Sequence, residues 1–178
     1  MYNADEWDEM LRHVQKPGRY IGGEWNEIKK DPGSVKTKVA LAFPDLYEVG
    51  MSYLGQKILY HILNADDSIL AERVFTPWVD CEKELKKRKL TLSSLESKIP
   101  ICAFDIIGFS LLYELNYSNI LTIFDTGKIP FLSSDRSLKY PLVIAGGPAV
   151  FNPEPVADLF DAFLIGDGEE AFLEIIKI

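Results

Sequence analysis

Two kinds of apolar run alternate along the chain. Runs of the first kind are short, almost wholly apolar, and closed by turn residues. Val39–Phe43 ends at Pro44, Ala71–Phe75 at Thr76-Pro77, Phe104–Phe109 at Ser110, Leu142–Ala145 at Gly146-Gly147-Pro148, and Ala162–Ile165 at Gly166. Each is too short for a helix and reads as a buried strand. In the second of these, Val74 and Phe75 are expected inside and Glu72 and Arg73 nearer the sheet edge. Runs of the other kind have helical spacing. They predict helices over Ser52–Asn64, over Asp80–Lys89 with Asp80 as cap, over Leu115–Thr126 (Ile120, Leu121, Ile123, Phe124 apolar), and from near Asp167 onward. Thr91–Ser97 reads as a short helical turn or loop.

Strands that are apolar on both sides and alternate with helices call for a parallel sheet covered on both faces. Right-handed crossovers leave few arrangements. The prediction is an α/β, flavodoxin-like sheet of five strands in the order 2-1-3-4-5, with its switch point between strands one and three. Upstream, Ala4–Val14 has an amphipathic stripe of Trp7, Met10, Leu11 and Val14, stopped by Lys16-Pro17-Gly18. Arg19–Asn26 follows as an arm whose Tyr20, Ile21 and Trp25 pack onto a body elsewhere, and Lys29–Lys36 is turn chemistry. The expected organisation is a helix and arm over residues 1–36 and an α/β domain over 37–178. The apolar spacing is still running at Ile178, which reads as the first domain of a longer protein.

Charge narrows the partners. A net charge of −8 makes the chain a poor binder of phosphate backbones, so no nucleic-acid contact is expected. The one basic cluster, Lys83–Lys89, is interrupted by Glu84 and reads as a solvated helix face. No apolar run is long enough to span a membrane, and the acidic start MYNADEWDEMLRH has no signal-peptide core, so the expected location is cytoplasmic. Cys81 and Cys102 are too few and too far apart for a metal motif. His13 and His61 have no ligand-spaced companion, and His61 is expected at the surface.

Candidate chemistry collects where strands end, because ligands of open α/β sheets bind outside the carboxyl ends of the strands. Four loops would meet there: Pro44–Gly50, Ser110–Asn116, Gly146–Pro155 and Gly166–Glu169. They carry Asp45, Tyr47 and Gly50 as D-x-Y-x-x-G, Ser110 and Leu112 as S-x-L, a glycine pair at Gly146 and Gly147, and Asp167, Glu169 and Glu170 at a helix start. Paired glycines let a backbone approach a ligand closely. Singly, each has a plainer role as an Asx-turn, a helix entry, a local hydrogen bond or a complement to the helix dipole.

In this order the motifs resemble the fingerprint of cobalamin-binding domains, D-x-H-x-x-G, S-x-L, GG. The stretch Val143–Phe172 resembles more closely the N-terminal domain of cobalamin-binding-type radical S-adenosylmethionine (radical SAM) proteins. These have GGP, a Pro-Glu, and D-x-x-x-x-G-x-G-E, matched here by Gly146-Gly147-Pro148, Pro153-Glu154, and Asp161 through Gly166 and Gly168 to Glu169. KPGRYIGGEWN and FPDLYEVGMSYLG are similar to a poorly characterised branch of that group. The resemblance implies a corrin ring over the carboxyl edge against Asp45–Gly50, with the dimethylbenzimidazole tail in a slot lined by Ser110, Leu112, Gly146 and Gly147. Pro148, Gly166 and Glu169 complete the predicted cofactor-binding set. Tyr47 stands where the fingerprint has its cobalt-ligating histidine, so cobalamin would be held without that lower ligand, with Tyr47 packing on the corrin or bonding one of its amides. The segment from Gly50 to Ser110 is also longer than in methyltransferase and mutase domains.

The resemblance places the 4Fe-4S cluster and S-adenosylmethionine in a downstream radical domain, through a C-x-x-x-C-x-x-C motif that these 178 residues lack. The domain itself is expected to be inert, serving methyl transfer or a related radical reaction in the full chain, with that radical domain as partner. A cofactor-free scaffold that docks the radical domain or a partner is the rival, motivated by Tyr47 and by Tyr113, Tyr117 and Phe151. A flavin or nucleotide binder is the weakest alternative, since no G-x-G-x-x-G or P-loop follows the first strand.

Overall fold

The computed structural model describes residues 4–176; residues 1–3 and 177–178 lie outside the description. The elements run α1 (Ala4–Leu11), α2 (Gly18–Ile21), β1 (Thr37–Phe43), α3 (Tyr47–Gly50), α4 (Leu54–Asn64), β2 (Ile69–Phe75), α5 (Val79–Arg88), β3 (Ile106–Ser110), α6 (Tyr117–Gly127), β4 (Leu142–Gly146), β5 (Ala162–Leu164) and α7 (Gly168–Ile176). All strand pairings are parallel and the order is β2-β1-β3-β4-β5, the predicted flavodoxin-like topology.

Alternation along each strand explains the unbroken apolar runs. Ala40, Ala42, Ile107, Phe109, Val143 and Ala145 point into one core, beneath α1, α5 and α6. Their neighbours Val39, Leu41, Ile106 and Ile144 point into another, beneath α4 and α7. The N-terminal helix shares the first core: Trp7, Met10 and Val14 are buried with Cys81 and Leu85 of α5. Each such side chain contributes roughly 1.5–3 kcal/mol on burial.

Several details differ from the sequence-based expectations. The helix expected over Ser52–Asn64 is α4, which starts two residues later at Leu54, and an additional single turn, α3, forms in the loop before it. Asp80 does not cap α5. It sits in the first turn, and its carboxylate accepts the amides of Gln15 and Cys81, each at 2.7 Å, tying the end of the N-terminal helical region to the start of α5. Leu121 is exposed. In the arm, Tyr20 is half-buried and its hydroxyl accepts the Trp78 amide, but Trp25 stands wholly in solvent.

The largest correction concerns β2. Glu72 and Arg73 are not at an open edge: they are 0% and 1% exposed, although β2 is an edge strand. The segment after α5 closes that edge, as unpaired strand edges require. The Leu95 amide donates to the Arg73 carbonyl at 2.8 Å, the Arg73 amide to the Glu96 carboxylate at 2.8 Å, and the Ser97 amide to Glu72 at 3.3 Å. Arg73 Nε reaches Glu96 at 2.6 Å, and its guanidinium lies 4.4 Å from the Tyr60 ring centre. The arm crosses the outside of this seam. Lys98 Nζ donates to the carbonyls of Ile21 and Leu95, and the Ile28 amide donates to the Tyr60 hydroxyl.

Helix α5 ends on Lys89 at φ 57°, a left-handed cap filled by a residue with a Cβ, whose side chain is in solvent. Lys89→Gly is expected to raise stability by about 0.5–1 kcal/mol, seen as a higher urea midpoint at unchanged m-value. No helix among the described residues is long and apolar enough to cross a membrane.

Candidate functional site

The strand ends bring the sequence-predicted residues to one rim but divide them into two groups. Ser110 and Gly146 are register partners at the ends of β3 and β4. With Gly147, Pro148, Gly166 and Glu169 they line a cavity of about 380 Å³ between the sheet, α4 and α7. Asp45, Tyr47, Gly50 and Leu112 do not line it. Gly50, Tyr47 and Leu112 belong instead to an aromatic cluster next door, around Phe43, Phe75 and Leu95. A Cβ at Gly50 would lie 2.3 Å from the Phe75 ring, so the glycine admits that ring. Tyr53 joins the two regions, lining the cavity while its ring sits 5.5 Å from that of Phe43.

Tyr47 is turned towards the arm. Its hydroxyl donates to the Glu24 carboxylate and its ring meets Phe75 edge-on at 5.6 Å. Burial and the nearby carboxylate push the phenol up to about 12. The next residue, Glu48, takes Arg19 Nε at 2.9 Å, a second tie between arm and loop. Asp45 acts within the rim: one oxygen accepts the Leu46 amide at 2.7 Å and the other the Tyr113 hydroxyl at 3.1 Å.

The cavity is shaped by missing side chains. A Cβ at Gly146 would meet nothing nearer than the Leu164 carbonyl oxygen at 3.8 Å, an ordinary van der Waals contact, so it would be accommodated without a clash. Gly147 is different: at φ 104° and ψ 178° it occupies a region nearly reserved for glycine, and a Cβ there would stand 2.6 Å from the Leu111 carbonyl oxygen. That close approach lets the Leu111 amide bond the Gly146 carbonyl at 2.8 Å and the Ala149 amide bond the Leu111 carbonyl at 3.1 Å, which locks the two loops together. The tail motif has a structural part as well. Asp161 accepts the Val143 amide at 2.7 Å and Arg136 Nη2 at 3.1 Å, holding β5 to β4.

Sequence reasoning missed the inner wall, made by Leu41, Tyr53, Leu59, Gly108, Ile144 and Phe172. Most of these look like ordinary core. Gly108 carried a signal, because an isolated glycine within a strand marks close approach. Here α7 comes so near that a Cβ would lie 2.8 Å from the Phe172 ring. Among the described residues no three or more His, Cys, Asp and Glu side chains converge as a metal site.

Parallel order, the strand-end cavity and the glycine shelf define an open α/β domain with a cavity at its carboxyl edge, the place where sheets of this class hold ligands. Residues 55–178 match the family of radical SAM proteins, N-terminal, and the chain belongs to that family. No curated protein and no solved structure matches it.

Proposed function

We propose that the chain is a cobalamin-binding-like N-terminal domain of a radical SAM iron–sulfur protein. Its partner is the downstream radical domain, which carries the 4Fe-4S cluster and S-adenosylmethionine. The observation that supports this most is the cavity at the ends of β3 and β4, lined by Ser110, Gly146 and Gly147 and left empty of side chains at Gly146. It suits a flat nucleotide tail, and its volume lies within the roughly 300–1,000 Å³ of ligand pockets. The corrin ring itself, too large for the cavity, would lie across the open rim.

When bound, the corrinoid would supply a cobalt centre that carries a methyl group or supports a related radical reaction. This chain's residues bind and orient it. Ser110 offers a hydroxyl at the slot, the Gly146-Gly147 backbone forms one wall, and Asp45 fixes Tyr113 at the rim. Tyr47, engaged with Glu24, supplies no lower ligand. A cytoplasmic site of action fits two free cysteines, Cys81 buried and Cys102 half-buried.

Titrating the chain with hydroxocobalamin is expected to shift its visible spectrum with 1:1 stoichiometry, and Gly146→Leu is expected to abolish the shift while the far-ultraviolet circular dichroism stays unchanged. A flat titration at high micromolar cobalamin removes the reading.

A second reading, a cofactor-free docking domain, draws on the apolar side chains exposed around the same rim: Leu54 (67%), Leu115 (85%), Phe151 (74%) and Ile165 (59%). It predicts that the separately expressed radical domain co-purifies with this chain without corrinoid, and that Leu115→Ser/Phe151→Ser ends the association.

A further inference from the structure

The charges around the cavity are one-sided. Asp167 and Glu169 line its mouth, and among the described residues no lysine, arginine or histidine lines it. Inside, the wall is apolar, with Leu41, Ile144 and Phe172 among its residues, and the Ser110 and Tyr53 hydroxyls are the uncharged polar side-chain groups. One feature works the other way. The amino end of α7 is at the mouth, and helix amino ends favour anions. That end is equivalent to roughly half a positive charge, set against two full carboxylates. Repulsion prevails.

We propose that the cavity accepts an uncharged or cationic flat heteroaromatic ring and disfavours an anionic one. Gly146 and the Phe172 ring packed on Gly108 bound it, and the Asp167 and Glu169 carboxylates set its charge preference. The inference deepens the corrinoid reading and rests on it only in this respect: the benzimidazole ring enters, while the phosphodiester of the tail stays outside the acidic mouth.

The test uses three probes of one shape: benzimidazole, benzimidazole-5-carboxylate and 5-(aminomethyl)benzimidazole. Each is titrated into the whole chain at pH 7.5 and low salt and followed by ligand-observed NMR. Two exposed carboxylates, each worth a few-fold, predict about tenfold weaker binding of the carboxylate probe than of benzimidazole. The aminomethyl probe binds at least as tightly as benzimidazole. The gap closes in 1 M salt, where the screening length is about 3 Å. It also closes in Asp167→Asn/Glu169→Gln. Gly146→Leu, or Gly146→Val should the larger side chain perturb folding, removes binding of all three.

Equal or tighter binding of the carboxylate probe overturns the proposal. So does a gap that persists in the double variant, an absence of benzimidazole binding, or binding indifferent to both plugs. A parallel hydroxocobalamin titration separates the two ideas. Charge-ordered probe binding without cobalamin binding supports the cavity's preference and ends the corrinoid reading. Cobalamin binding with a flat probe series does the reverse.

Discussion

Glu96→Ala is expected to lower the unfolding free energy by about 3–5 kcal/mol, measured as a fall in the urea midpoint. The carboxylate is 2% exposed and faces Arg73, 1% exposed, at 2.6 Å. Arginine cannot shed its proton, so removing its counter-charge leaves a buried cation beside uncharged groups such as the Tyr60 ring and the Met51 sulfur. The pair is not itself a strong source of stability. Burial pushes the Glu96 carboxyl up to about 7 against the pull of Arg73, so desolvation outweighs the attraction. Replacing both partners, as Arg73→Met/Glu96→Leu, is therefore expected to recover most of the loss.

The pH dependence of this pair has a definite sign. Folded Glu96 keeps its proton to about pH 7, whereas the ordinary carboxyl value is 4.5. Within that window the native state holds more protons than the unfolded state, so this group's contribution is complete below pH 4.5 and is lost as pH rises through 7. Lys98 behaves oppositely: burial lowers its ammonium to about 8 from 10.5, and its contribution, present above 10.5, is lost as pH falls through 8. Together the two groups support the fold least between pH 7 and 8. Glu96→Gln is expected to flatten the acid limb alone in urea melts taken across pH.

The second large effect separates neighbouring glycines. Gly147→Ala is expected to cost several kcal/mol, about 1–3 from the backbone region alone, with more from the clash at the Leu111 carbonyl. Gly146→Ala, whose Cβ would make only ordinary contact with Leu164, is expected to change stability by less than about 0.5 kcal/mol while reducing the cavity's volume. Urea melts of the two variants, run side by side, check the contrast. Equal losses would mean that the shelf is simple turn chemistry and not one strained position beside one vacant one.

The fold was legible because a doubly covered parallel sheet leaves a strong trace: the strands are mostly apolar on both faces, and each run ends at a turn. Strand ends were then legible too, which is why Ser110 and Gly146 were expected together and are register partners. The 93–98 segment left no such trace. Its work is done by backbone amides and by one buried carboxylate, and neither has a period. Glu72 and Arg73 were accordingly read as edge residues when they are covered. Tyr47 was placed against a ligand by its position in a motif, and Glu24, the residue that holds it, lies 23 positions upstream. The inner wall was hidden for another reason: Tyr53, Leu59 and Phe172 look the same in sequence whether they face a core or a cavity.

The seam along β2 carries an implication for synthesis. A ribosome releases the amino-terminal arm first, yet the Ile21 carbonyl is bonded by an ammonium group 77 residues later, and the Ile28 amide by a phenol 32 residues later. Until that ammonium group emerges the arm has only earlier partners such as Tyr47, Glu48 and Tyr60, and the outermost strand stays available to any other extended peptide. Sealing it is a late event that needs Lys98 to have emerged, so a chain stalled before that point is the form of this protein most prone to pair with a neighbour.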